Sequence, residues 1–168
     1  MAALEELKLD RLFIVPAKQS PFKPDKKPAN ANMRVRLLRL AFAGNNRCEI
    51  DTQELKRDGV SYSIDTIINF SRLFPEAKLY YLIGADHILT LPKWREAKRL
   101  ANLVDFVVVP RPRQKAADFP KPFRGQSLNG WPFEVSSSVI RQRLGIGLPI
   151  DDLVPAHVAD ALKKNNPY

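Results

Sequence analysis

The sequence is poor in the residue types that carry much covalent and metal chemistry. It has one cysteine, Cys48, and two histidines, His87 and His157, in 168 residues. A lone cysteine excludes an internal disulfide framework, and no cysteine or histidine stands in metal-ligand spacing, so Cys48 is expected to be a half-buried strand residue. The longest apolar runs are strand-sized, which excludes a membrane-spanning helix. Residues 1–6 lack the basic-then-apolar pattern of a secretion signal, and the expected location is cytoplasmic. There is no internal repeat and no linker long enough to divide the chain, so one domain spanning 1–168 is expected.

What is present is ordinary globular composition, 45% hydrophobic and 27% charged, with lysine plus arginine at 27 against 18 acidic residues. The net charge of +9 favours polyanions such as nucleotides, nucleic acid or an acidic surface without choosing among them. Apolar periodicity gives alternating helices and strands. A first helix spans residues 2–9, a buried strand 12–15, and a proline-rich basic loop 16–28. Asn30 or Asn32 then caps a helix with Met33, Leu37, Leu40 and Ala41 inward and Arg34, Arg36 and Arg39 outward, ended by Gly44. A short strand over 47–50 leads into a polar connection, 51–59. A helix with Ser61 or Ser63 as cap runs to Phe74, followed by a continuous apolar strand over 79–83 of the central parallel kind. Asp86 follows that strand, as a cap or a cleft carboxylate. A break at 91–94 precedes a helix over 95–103, a buried strand over 106–109 and the basic loop Pro110, Arg111, Pro112, Arg113. Residues 114–130 read as a long mobile loop. An apolar run over 131–135 hands over to a helix through Leu144, and Pro155 starts a closing helix to about Lys164.

This alternation predicts an α/β fold, doubly wound and Rossmann-like with a parallel sheet. Its opening helix implies an earlier strand, and the first strand is expected to be missing. Ligands of such sheets bind at the carboxyl ends of strands. Ser136, Ser137 and Ser138 open a helix there. Unpaired N–H groups, serine hydroxyls and the guanidinium of Arg141 make this turn either a phosphate site or an ordinary serine cap.

Taken together, six segments resemble the bacterial nicotinate-nucleotide adenylyltransferases of the nucleotidyltransferase superfamily. They are Phe13 to Ala17 with Pro21, Phe22, Lys23 and Pro24; residues 61–66; Gly84, Ala85 and Asp86 followed by Trp94; residues 107–112; residues 135–141; and Leu153, Val154 and Pro155. The resemblance covers about residues 4–168. It implies transfer of the adenylyl group of ATP to nicotinate mononucleotide, giving deamido-NAD and pyrophosphate, with Mg2+ carried by ATP and no protein ligands assigned to it. Ser136, Ser137, Ser138 and Arg141 would hold ATP phosphates. Asp86 and Trp94 would receive the mononucleotide, Tyr62, Ser63 and Arg111 would complete its pocket, and Lys23 would approach a phosphate.

The chain departs from the family pattern at Phe22, where histidine is common before the lysine, at Arg95, where an aromatic is common, and at Ser138, which replaces threonine. It also lacks the family's Gly-Gly-Thr-Phe-Asp-Pro-x-His-x-Gly-His loop, so no catalytic residue is assigned. Severely impaired transfer is expected of these 168 residues, with a start codon assigned too late as the simplest account. Alternatives remain open: an adenylyltransferase for nicotinamide mononucleotide or phosphopantetheine, a noncatalytic basic module for nucleotides or nucleic acid, or a scaffold retaining the fold only. Neither nucleic acid nor membrane is the expected partner; a homo-oligomer is left open.

Overall fold

The computed structural model describes residues 1–22, 28–110, 117–130 and 135–165. The chain divides into two compact units, one of Met1–Leu9 and Tyr62–Glu134, the other of Asp10–Ser61 and Val135–Tyr168. All strand pairs are parallel, in a three-stranded sheet in the first unit and a two-stranded sheet in the second.

The second unit is built on a strand–helix–strand crossover. β1 (Leu12–Ile14) pairs with β2 (Cys48–Ile50), and α2 (Ala31–Ala41) connects them. All three residues of β1 are half-buried rather than buried, as two strands cover less of each other than a wider sheet would. Cys48 is a half-buried free cysteine, as its apolar strand setting predicts. Asn30, and not Asn32, caps α2: its Oδ1 accepts from the backbone N–H groups of Asn32 and Met33. Leu37 and Leu40 of α2 pack with Ile150, Val158, Ala159 and Leu162 in an apolar cluster, but Ala41 is exposed. Arg34 does not face solvent as expected. It is half-buried, and donates to Ala17 O at 2.8 Å and Ala29 O at 3.0 Å, because two carbonyls of the proline-rich loop lack ladder partners. Lys18 is fixed similarly, its Nζ donating to Arg57 O at 2.7 Å. The polar connection contains a short helix, α3 (Gln53–Lys56). The chain closes with α6 (Ser137–Gly145) and α7 (Ala156–Lys164), the latter starting after Pro155.

The first unit contains α1 (Ala2–Glu6), α4 (Ser63–Leu73), β3 (Tyr80–Gly84), a 3-10 helix (Ala85–Lys93), α5 (Ala97–Leu103), β4 (Asp105–Val109) and β5 (Gly125–Ser127). α1 is shorter than its apolar pattern suggests, since Lys8 turns left-handed at φ 50°. In this sheet the order is β3, β4, β5, so β4 and not the run over 79–83 is the middle strand. That explains why Phe106, Val107 and Val108 are buried while Tyr80, Tyr81 and Leu82 are only half-buried. The described part of the expected mobile loop is ordered instead. Residues 125–127 add a strand to β4, and Phe119 and Phe123 pack on Phe106. Gly125 permits this, because a Cβ there would overlap Phe106 O and the Phe119 ring. Ile64, Ile67, Ile83, Leu91, Leu100 and Phe106 form the main core. Each such side chain contributes roughly 1.5–3 kcal/mol relative to exposure.

Candidate functional site

The carboxyl end of β3 runs directly into the 3-10 helix, which carries Asp86 and ends at Trp94. Pro92 lies in the last turn of this helix, and Glu96, left-handed at φ 50°, is the N-cap of α5. Arg95 therefore lies outside the helix that the sequence places at 95–103. Trp94 is half-buried and belongs to an edge-on aromatic group. Its ring centroid is 5.9 Å from Tyr81, 5.8 Å from His87 and 6.4 Å from Phe106, all near perpendicular. Each such pair contributes about 0.5–1.5 kcal/mol beyond its buried area. The indole Nε1 donates to Thr90 Oγ1 at 3.4 Å, and Thr90 Oγ1 donates to His87 O at 2.8 Å. These contacts fix the plane of the indole.

Asp86 is exposed in the first turn of this helix, with an oxygen 3.9 Å from His87 Nε2. It is not a cap: Gly84 occupies the N-cap position and no side chain bonds there. His87 is half-buried against Trp94 rather than a surface residue. Neither serine expected at the start of α4 caps it. Tyr62 holds the N-cap position without a side-chain bond. Ser61 Oγ accepts from Lys18 N at 2.8 Å, and Ser63 Oγ lies 2.8 Å from Tyr81 Oη, in hydrogen-bond contact. Tyr62 packs on the core that also receives Trp94, and its ring lies beneath the Arg95 guanidinium at 4.6 Å. Tyr62, Ser63, Asp86 and Trp94 are thus all parts of one unit, with Ser63 linked through Tyr81 to Trp94. Thr90 and Tyr81 escaped sequence reasoning: their roles depend on which hydroxyl reaches which ring, and residue type alone carries no such signal.

The serine turn belongs to the other unit. Ser136 is the N-cap of α6, its Oγ accepting from Val139 N at 3.2 Å. Ser138 Oγ accepts from an Nη of Arg141 at 3.2 Å. All three serines and Arg141 are exposed. Hydroxyls and guanidinium thus share one helical turn, and the turn is a cap whatever else it holds. A cleft of about 380 Å3 elsewhere in this unit is lined by Leu144, Leu148 and Leu162 with Asp151 and Lys163, and contains none of the proposed site residues. Lys23 and Arg111 lie outside the described residues, as does most of the expected apolar run over 131–135. No helix among the described residues is long and apolar enough to cross a membrane.

The parallel strand–helix–strand units define an α/β protein of the kind that binds ligands at the carboxyl ends of its strands. The cytidylyltransferase-like family model matches residues 1–143. The nicotinate-nucleotide adenylyltransferase of Bacillus subtilis is 33% identical over 160 residues, covering 95% of this chain and 83% of that protein. A relative from Opitutus terrae named for the same activity is 34% identical over 169 residues, covering 99% of this chain and 86% of its own length. The fold matches a Plasmodium falciparum nicotinic acid mononucleotide adenylyltransferase complexed with NaAD, with a TM-score of 0.71 at 20% identity over 94% of this chain and 82% of that one. The chain belongs to the nicotinate-nucleotide adenylyltransferase family of the nucleotidyltransferases, and its fold is Rossmann-like as the alternation of elements predicts.

Proposed function

We propose that the chain binds ATP and nicotinate mononucleotide and transfers the adenylyl group between them, in the cytoplasm, as a step of NAD formation. The observation that carries this reading is the placing of Asp86 and Trp94 on one short helix at the carboxyl end of β3, with the indole fixed by Thr90. An oriented indole face suits a flat pyridine ring, and an acceptor-only carboxylate beside it suits sugar hydroxyls. Tyr62, packed on the same core as Trp94, and Ser63, linked to Tyr81, would complete the mononucleotide pocket. Ser137, Ser138, Arg141 and the N–H groups opening α6 would hold ATP phosphates, Lys23 would approach a phosphate, and Arg111 would complete the mononucleotide pocket.

In the reaction a phosphate oxygen of the mononucleotide attacks the α-phosphorus of ATP, the bond from that phosphorus to the bridging β-phosphate oxygen breaks, and pyrophosphate leaves. Positioning and charge stabilisation supply most of the rate in such transfers. Among the described residues no group of three or more His, Cys, Asp or Glu side chains could hold a metal ion. The proposed Mg2+ is the one that ATP carries, held chiefly by phosphate oxygens and water. No catalytic residue is assigned, and we hold that these 168 residues turn over slowly, because they contain no His-x-Gly-His sequence to stabilise the leaving charge.

The test is isothermal titration of the 168-residue chain with ATP and with nicotinate mononucleotide, followed by pyrophosphate release with both present. Binding of both ligands, abolished for the mononucleotide by Trp94→Ala, is expected. Salt-sensitive binding of an oligonucleotide with none of ATP would refute the reading in favour of a nucleic-acid module.

A further inference from the structure

Arg95 departs from the family pattern, and its setting gives that departure a use. Its guanidinium carbon lies 4.6 Å from the centroid of the Tyr62 ring, and that ring is half-buried on the core that also receives Trp94. The adjacent carboxylate, Glu96, is committed to Arg99 at 3.0 Å. Among the described residues no carboxylate lies in ion-pair range of Arg95. Arg95 is therefore an exposed cation whose position is set by an aromatic ring and not by an anion.

A guanidinium held over the Tyr62 ring keeps its planar fork of N–H donors, and that fork matches the two oxygens of a planar carboxylate. Its orientation is restrained before any ligand arrives, which lowers the ordering cost of binding. Take a pyridine ring stacked on Trp94 with its substituent turned toward Arg95. A carboxylate there gains a donor pair with opposite charge. A carboxamide offers one acceptor and turns an NH2 donor toward a group that has donors only.

We propose that Arg95, held on Tyr62, is the specificity-determining residue that reads the carboxylate of nicotinate mononucleotide and sets acid above amide. The inference rests on the reading of Trp94 as the pyridine-stacking face. Acid and amide mononucleotides share their ribose and phosphate, so the ratio of their affinities isolates this one group.

The experiment measures dissociation constants of both mononucleotides for the 168-residue chain and for the variants R95Q, R95K and Y62L, each checked for fold by circular dichroism. An acid preference of roughly tenfold is expected in the parent chain, the scale of one charge-assisted hydrogen-bond pair at an exposed site. R95Q should bring the ratio to about one by weakening the acid; R95K, a charge without the fork, should keep part of it. Y62L should lower the ratio with the charge still present, which a general electrostatic effect would not do. Rising salt should narrow the preference in the parent and leave R95Q unaffected. A ratio unchanged in R95Q, with the acid still bound, overturns the proposal and leaves the wider function standing. A parent chain that binds neither mononucleotide overturns both.

Discussion

Replacing Ser136 separates two jobs that one hydroxyl can do. Its Oγ accepts from Val139 N at 3.2 Å and caps a nine-residue helix with no buried residue. An exposed cap can be partly replaced by water, so Ser136→Ala should cost about 0.5–1 kcal/mol, the lower part of the range for lost caps. For a chain of this size that is a fall of roughly 1–4 °C in the melting midpoint. Ser136→Asp restores an acceptor at the N-cap and adds a charge favourable to the helix dipole by about 0.3–1 kcal/mol, so its midpoint should match or exceed the parent's. A phosphate bound at the same turn reverses that advantage. Two unit charges about 5 Å apart at a protein surface repel by roughly 1–3 kcal/mol, an affinity loss of about 5- to 150-fold. Stability and ATP affinity should therefore diverge in Ser136→Asp, while Ser137→Ala, which removes no cap bond, should lose affinity with its midpoint unchanged. Thermal melts by circular dichroism and ATP titration calorimetry read both quantities. If Ser136→Asp binds ATP as tightly as the parent, the turn is a cap only and the phosphate assignment is wrong.

Thr90→Val removes the acceptor at 3.4 Å from the Trp94 indole with little change of shape. A long neutral hydrogen bond of this kind contributes about 0.5–1 kcal/mol, so mononucleotide affinity should fall roughly two- to fivefold while ATP affinity holds; equal loss for both ligands would point to general unfolding instead. Asp151 accepts from Lys163 Nζ at 2.6 Å, and that hydrogen bond holds its carboxyl below the ordinary carboxylate range against a smaller opposing effect of burial. A depressed carboxylate pKa means that the pair's small stabilisation is complete above the unfolded value of about 3.9 and is lost as pH falls through the lower folded value. Carbon-13 NMR titration should show Asp151 returning to the ordinary range in Lys163→Met; an unmoved midpoint would exclude the pair as the cause.

Periodicity located nearly every element because helices and strands impose different spacings on buried residues, and those spacings survive without knowledge of neighbours. α4 illustrates this, with Ile64, Ile67 and Phe70 all buried on one face. Rank within a sheet is another matter. In the apolar run that suggested a middle strand at 79–83 only Ile83 is buried, and Tyr80 and Leu82 are half-buried against the smaller cluster around Ala3, Val107 and Leu128. Residues 114–130 suggested mobility by composition, yet Phe119, Phe123 and Leu128 within them are packed, and Gly125 permits the close backbone approach to Phe106. Caps divided for a related reason: two asparagines and two serines could each reach a helix end, Asn30 does cap α2, and neither serine caps α4, held instead by bonds such as that of Ser61 to Lys18, 43 positions away.

The candidate site divides along the same line between residue type and arrangement. The segment that carries Asp86 and Trp94 was legible because their spacing places both on one short stretch, whatever surrounds it. The state of each hydroxyl was not. Ser136 is occupied as a cap, Ser138 accepts from Arg141, and Ser63 is in contact with Tyr81, so three serines with the same side chain have three different local partners. A phosphate entering the turn would have to offer its oxygens to donors freed from these internal bonds as well as to unpaired N–H groups, and each exchanged bond reduces the net gain. Exchange of bonds favours a ligand with several anionic oxygens, which can satisfy Ser137, Ser138, Arg141 and the helix N–H groups together, over a single-charge anion that replaces one internal bond with one external bond. A polyphosphate is such a ligand, and inorganic phosphate should accordingly compete with ATP only weakly at this turn.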